Sequence, residues 1–474
     1  MSINYAERIP NNVGLADNKV LQRALEHWQP RFLDWWKEMG PTDFNAADVY
    51  LRTATSVDQQ GWATYGSLKM PDYRWGIFLA DKKEDRRIGF GDLRGEKAWE
   101  QVPGEHRSTL RRLIVTQGDT EPASVEQQRL LGHVCPSLYD LRSLFQINVE
   151  EGRHLWAMVY LLHAHFGRDG REEAEALLTR HSGNSENPRI LNTFNEPIED
   201  WLSLFMFTYF TDRDGKYQLK CLAESAFDPL ARTCRFMLTE EAYHMSVGML
   251  GVGRVIKRAV EVMKETGSDD PEVVRRAGAV DLPTIQRYLN FWCSSSLDLF
   301  GSEVSSNAAT TFANGIKGRP DEETAFEDHD AREQSFTLEQ PDGQGGTRRE
   351  DVPLRNAINE VVREAYLRDC EVGLRIWNRM VAKSGIKAEL KLPSPRFNRT
   401  VGVWAGHAVD PSGNLISADA WAARRSAWLP STEDRTFVRS LMQRVTDPGK
   451  VAGWIAAPDR GIDGKPADYE YVRL

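Results

Sequence analysis

Apolar residues recur at three- and four-residue intervals over most of the chain, and that spacing predicts helices. "DNKVLQRALEHWQPRFLDWWKEM" carries one apolar stripe behind Asp17, the expected N-cap. Helical runs follow at 98–118 and 122–134, over 137–167 as one long helix, at 171–181 as a short polar one, and at 195–226 and 230–265. Further helices are expected near 270–278, 284–316 and 352–383. Between 317 and 351 the composition shifts to Gly, Asp, Glu, Pro and Gln, predicting a surface loop with room for a hairpin. From about 385 the chain is rich in Pro, Gly and Trp, which predicts an irregular wrapping segment with one helix near 431–445. Residues 52–95 also read as irregular, with short strands. The expected fold class is therefore all-α. A helical bundle at 98–316 follows a helical and irregular extension (1–97). A polar loop with an added helix (317–384) and the irregular C-terminal segment (385–474) come after it.

One feature conflicts with simple burial. "NVEEGRH" places Glu151 and His154 one turn apart just ahead of the apolar run "LWAMVYLLHAHF", and charged groups are seldom buried unless paired or bound to a metal. Of the ten histidines, only His154 and His244 have Glu three residues before them, as Glu151–His154 and Glu241–His244. Residues i and i+3 share a helix face, so each pair can reach one point. A single E-x-x-H is weak, because about one match is expected by chance. The surroundings carry more. Glu121 stands 30 positions before Glu151 with Pro136 at the midpoint, and Asp212 stands 29 before Glu241 with "FDP" at the midpoint. Each is a helical hairpin with a breaker at its turn and arms of about 20 Å at 1.5 Å per residue. Such a double hairpin is the frame of a di-metal carboxylate site.

Glu121, Glu151, Asp212 and Glu241 would bring four negative charges into an apolar bundle, and two divalent metals balance them with His154 and His244 neutral. Oxygen-rich ligation with one imidazole per metal suits iron or manganese, and dioxygen chemistry favours iron. Glu121 lies between Gly118 and Pro122, so its helix is expected to break or kink there, and Glu126 is the alternative. Asp214, next to Gly215, is expected to be exposed, and Glu224 stands too close to the second motif. His163 and His165 lie off the ligand face. The fourteen tryptophans read as packing, and clusters such as Arg254, Lys257 and Arg258 or Arg275 and Arg276 as solvated helix faces.

Net charge of −9 disfavours nucleic acid as a partner. Five scattered cysteines without a CxxC pair fit a reducing cytoplasm and no iron–sulfur cluster. No apolar run approaches the length of about 20 residues needed to span a membrane. No GxGxxG or Walker A sequence is present, so no flavin or nicotinamide site is expected on this chain, and electrons would come from another protein.

The double E-x-x-H with flanking carboxylates resembles the ferritin-like di-iron carboxylate superfamily. "NYAERIPNNVGLADNKVLQRALEHWQPRFLDWWKEMGP" and "FNEPIEDWLSLFMFTYFTDRDGKYQL" resemble, more specifically, the oxygenase components of the benzoyl-CoA 2,3-epoxidase family. The resemblance implies a ferritin-like four-helix bundle and a cytoplasmic monooxygenase of aerobic benzoate breakdown. It implies epoxidation of the ring of benzoyl-CoA with O2, with electrons from a separate flavin and iron–sulfur NADPH-dependent reductase. By position, the implied ligands of two iron ions are Glu121, Glu151, His154, Asp212, Glu241 and His244, with Asp212 where the superfamily often has Glu. Monomer and homodimer both stay open. The rival readings are another di-iron enzyme, such as an acyl desaturase or a ribonucleotide reductase small subunit with Tyr160 or Tyr243 as radical site, and a non-enzymatic iron-binding helical protein.

Overall fold

The computed structural model describes residues 7–42, 75–447 and 449–459, together with the backbone of short strands within 56–71. The helices are α1 (Lys19–Met39), α2 (Arg107–Gln128), α3 (Leu138–His165), α4 (Gly167–Thr179), α5 (Trp201–Ala223), α6 (Asp228–Thr266), α7 (Pro271–Arg276) and α8 (Leu282–Leu297). They continue as α9 (Ser306–Ala313), α10 (Glu322–Ala325), α11 (Ile358–Lys383), α12 (Ala418–Trp428) and α13 (Thr432–Leu441). Strands β1 (Ser56–Val57), β2 (Trp62–Tyr65) and β3 (Leu68–Pro71) form an antiparallel sheet, and β4 (Ser335–Pro341) with β5 (Thr347–Pro353) forms the hairpin that the polar segment predicts. The fold is all-α and ferritin-like, with added helices and irregular ends.

Four helices make the central bundle. α2 packs on α3 and α5 on α6 as two hairpins, and the hairpins join where α3 packs on α6. The first turns through 131–137 around Pro136, and the second through 224–227 ahead of Pro229. Both turns fall where the sequence puts its breakers. Ser137 and Asp200 cap α3 and α5 by accepting from the backbone N–H of Asp140 and Ser203. A second core lies between α1 and the first hairpin. There Trp156 stacks on Trp75 at 4.5 Å and meets Trp28 edge-on at 4.7 Å, so these tryptophans are packing residues.

Several expectations are corrected. α2 runs unbroken through Gly118, Glu121 and Pro122. Every residue from Glu121 to Gln128 is buried, and packing on both sides holds the helix across the missing proline N–H. Asn18, not Asp17, caps α1, accepting from the backbone N–H of Leu21. The expected 284–316 helix divides at Gly301, whose φ of 82° is left-handed, and Ser305 caps the next helix. α12 has no predictive stripe because none of its residues is buried. Arg254 is buried rather than solvated, with Nη1 donating to Asp140 Oδ1 at 2.6 Å. Arg275 holds Asp281 at 2.7 Å and Asp434 at 2.7 Å.

The α5–α6 contact sets the depth of the site and depends on small residues. A Cβ at Gly248 would meet the backbone of α5 at Tyr209 N, and one at Gly251 would enter the Phe205 ring. Gly251→Val is expected to cost about 1–3 kcal/mol through overpacking. Urea denaturation would read this as a lower midpoint with an unchanged slope.

Candidate metal centre

Each of the four bundle helices delivers side chains to one point. Glu121 comes from α2, Glu151 and His154 from α3, Asp212 from α5, and Glu241 and His244 from α6. All six are buried, none more than 7% exposed. His154 Nδ1 lies 3.2 Å from Glu121 Oε2, 3.6 Å from Glu151 Oε2 and 3.7 Å from Glu241 Oε1. His244 Nδ1 lies 3.7 Å from Glu151 Oε1, 3.6 Å from Glu241 Oε2 and 3.9 Å from Asp212 Oδ2. Glu151 and Glu241 therefore each face both imidazoles, with ring centroids 6.2 Å apart. Glu121 sits on the His154 side and Asp212 on the His244 side. Two overlapping sets, Glu121–Glu151–His154 and Glu151–Asp212–His244, have donor atoms close enough to hold a cation each.

The polar atoms that face inward support that use. Asp212 Oδ2, Glu241 Oε2 and His244 Nδ1 are buried without a hydrogen-bond partner, and an orphaned buried donor or acceptor is costly unless something else meets it. Other carboxylate oxygens of the cluster are held by protein donors. Ser124 Oγ donates to Glu151 Oε1 at 3.1 Å, and Gln117 Nε2 donates to Glu121 Oε1 at 3.0 Å.

Sequence reasoning missed two acids. His154 Nε2 stands 3.0 Å from Glu240 Oε2, and His244 Nε2 stands 2.9 Å from Glu150 Oε2. The pairs cross the α3–α6 seam, each helix holding the other's imidazole. A carboxylate only accepts, so a neutral ring that donates from Nε2 presents its Nδ1 lone pair inward, where His154 Nδ1 stands 3.2 Å from Glu121 Oε2. Arg153 bridges the two acids, bonding Glu240 and standing 3.6 Å from Glu150. The available signal was the doubled glutamate in both "EEGRH" and "EEAYH".

Other residues are placed elsewhere. Glu126 faces away, taking Arg189 Nη2 at 2.7 Å, Trp35 Nε1 at 2.8 Å and the Ser182 N–H at 2.7 Å. Asp214 is buried, not exposed, and burial pushes its carboxyl up to about 7 against a hydrogen bond from Gln218. His163 and His165 stay off the site, and burial lowers both to about 4. Tyr243 donates to Ser143 at 3.0 Å.

Burial pushes Glu151 and Asp212 well above the usual carboxylate range, and neighbouring carboxylates, Glu121 and Glu241 respectively, add to the effect. Burial alone would lower His154 and His244, but the surrounding acids outweigh it and raise both. Without a cation the cluster thus shares protons. An acid whose folded value is raised contributes stability at pH below its unfolded value and loses that stability as pH rises through the folded one. Asp212→Asn removes this loss for one group. In chelator-treated protein the variant is expected to melt higher than wild type, with the gap widening by several degrees from pH 5 to pH 8. Thermal melts across that range, with no widening, would reject the buried-charge account.

No family model matches the chain. It is 59% identical over 472 residues to "Benzoyl-CoA oxygenase component B" of Aromatoleum evansii, an alignment covering 100% of both chains. Identity at this level over the full length places the chain in the benzoyl-CoA oxygenase component B family.

Proposed function

We propose that this protein is the oxygenase component of a benzoyl-CoA oxygenase system, a di-iron monooxygenase that epoxidises the aromatic ring at the 2,3 position. The reaction consumes benzoyl-CoA, O2, two electrons and two protons, and yields the ring epoxide, CoA still attached, and water. Electrons come from a separate NADPH-dependent reductase, in keeping with the relative's designation as one component of a set. The observation that carries the proposal is the convergence of four buried carboxylates and two inward-facing imidazoles in a chain of this family.

Two iron ions bound there would supply the redox chemistry that activates dioxygen. The chain's own residues do the rest. Glu121, Glu151 and His154 would hold one ion, and Asp212, Glu241 and His244 the other. Glu150 and Glu240 hold the Nε2 protons and so orient both rings. Arg153 offsets the charge of those two acids. Ser124 and Gln117 restrain the carboxylates from rotating. Apolar packing around the four helices keeps bulk water away from the site. Asp212 is one methylene shorter than Glu121, which leaves more room on the His244 side.

Aerobic turnover of iron-loaded protein with benzoyl-CoA, reductase and labelled O2 tests the reaction. One labelled oxygen atom per product is expected, and an unlabelled product rejects the oxygenase reading. Iron analysis should give two ions per chain, with Glu241→Ala losing both. Glu150→Gln, which keeps the shape but not the charge that holds His244, should weaken iron binding about 10–100-fold.

A further inference from the structure

Among the described residues, seven large apolar side chains are exposed. Three of them gather on one surface: Leu250 of α6 at 51% exposure, and Val372 and Ile376 of α11 at 43% and 39%. The two helices pack together there, and Trp377 Nε1 donates to Met249 O at 3.1 Å. Leu250 follows Met249 and Ile376 precedes Trp377, so both flank the bond that joins the helices. The other four, Val20, Leu130, Ile190 and Val304, lie on separate stretches of the chain.

Residues 242–253 of α6 hold no Asp, Glu, Lys or Arg, in a chain that is 27% charged. Ala242, Met245, Ser246, Met249 and Leu250 follow three- and four-residue spacing and share the outer face of the helix. Each is exposed or half-buried, whereas His244 on the opposite face is buried. Ser246 Oγ donates to Ala242 O of its own helix at 2.9 Å. Beside this uncharged face α11 is basic. Arg368, Arg375, Arg379 and Lys383 are exposed and run alongside Val372 and Ile376 at helical spacing. Glu364 and Glu371 stand 3.7 and 3.2 Å from Arg368 and Arg375, while Arg379 and Lys383 have no ion pair among the described residues.

An apolar surface with a basic edge, in a chain of net charge −9, suits a partner that is apolar at the centre of its contact face and acidic at the rim. A two-fold contact between copies of this chain would set the basic edge against itself. Beneath the surface an aromatic pair leads to the metal centre. Tyr209 of α5 stands three residues, about 4.5 Å of helix, before Asp212. Its ring lies 4.6 Å from that of Trp377. Tyr209 Oη donates to Cys370 O at 2.7 Å and accepts from the Gly373 N–H at 3.1 Å. A Cβ at Gly248 would meet the Tyr209 backbone, and one at Gly373 would meet its ring and hydroxyl. The two glycines thus let α6 and α11 close on α5 at Tyr209. Arg213 lies over that ring at 4.3 Å, and a cation there opposes loss of an electron from it.

We propose that the α6–α11 face around Leu250, Val372 and Ile376 is the docking surface for the electron-donating reductase, with Trp377 and Tyr209 forming the contact path from that surface to Asp212. This rests on the reading of the chain as an oxygenase supplied by a separate component. Two electrons per turnover leave the donor's redox centre one at a time, and each reduces one ferric ion to ferrous. Trp377 and Tyr209 mediate the transfer by contact and are themselves neither oxidised nor reduced. The apolar centre holds the partner, and Arg379 and Lys383 set its orientation and the salt dependence of binding.

The test uses full-length, iron-loaded protein and the NADPH-dependent reductase of the same system. Leu250→Glu and Ile376→Glu place a charge in the apolar centre, and Arg379→Glu reverses one at the edge. Binding of the reductase is followed by titration calorimetry, without turnover. Each centre variant is expected to weaken binding at least tenfold, with two irons per chain and the melting temperature retained. Reduction of the iron by dithionite, which needs no docking, should keep its wild-type rate. Arg379→Glu should weaken binding severalfold and flatten its salt dependence. Trp377→Leu should slow iron reduction within the preformed complex at least fivefold at unchanged affinity, and Trp377→Phe, which keeps a ring against Tyr209, should recover most of that rate. If Leu250→Glu and Ile376→Glu bind the reductase as tightly as wild type, the docking face is elsewhere. If they lose a wild-type self-association instead, the face belongs to a second copy and the proposal is overturned. An unchanged rate in Trp377→Leu removes the aromatic path. If wild-type iron takes no electrons from the bound reductase, the reading of the chain as a reductase-supplied oxygenase fails, and the calorimetric titration still decides the docking face.

Discussion

The crossed hydrogen bonds between α3 and α6 are the constraint on which the site depends. His154 reaches Glu240 and His244 reaches Glu150, so each imidazole is oriented by the helix it does not belong to. That exchange is possible only at one register of the two helices. A slip of one turn, about 5.4 Å, would separate both pairs and leave the Nε2 of each buried imidazole without its carboxylate. The register of the seam and the chemistry of the centre are therefore one requirement.

The seam also explains how so much charge is tolerated. Six acids lie within or beside the cluster, and their surroundings divide them. Glu150 and Glu240 are satisfied by protein groups, Arg153 and the imidazole N–H donors. Glu121, Glu151, Asp212 and Glu241 point inward, and atoms of Asp212 and Glu241 have no protein partner. The outer acids are held by protein donors, while burial pushes Glu151 and Asp212 among the inner ones towards the protonated form unless a cation meets them. Folding and metal occupancy would be coupled through the inner four alone.

The two faces of the bundle are unequal for the same reason. The α3–α6 side is closed because the crossed pairs demand close approach, and Gly248 and Gly251 draw α5 onto α6. The α2–α5 side has no such demand, and the two helices make little backbone contact there. α2 is instead tied outward, where Asp119 and Glu126 hold Arg189 at 3.1 and 2.7 Å. These ties anchor the helix on both sides of Glu121 without filling the gap it faces.

Much of this was legible in the chain itself. Helical periodicity, two E-x-x-H pairs and two breakers at hairpin midpoints gave the all-α frame and the six inward side chains, because i, i+3 spacing and hairpin symmetry are local properties. Sequence did not reveal Glu150 and Glu240, since a doubled glutamate does not say which member turns inward and which crosses to a neighbouring helix. Nor did it reveal that α2 continues through Pro122, that Asp214 and Arg254 are buried, or that α12 is a helix without an apolar face. Each of those depends on what packs against the residue from a distant part of the chain. Local spacing determined which side chains could meet at one point; only the packing of the two hairpins decided how closely they meet, what holds their outer atoms and which side stays open.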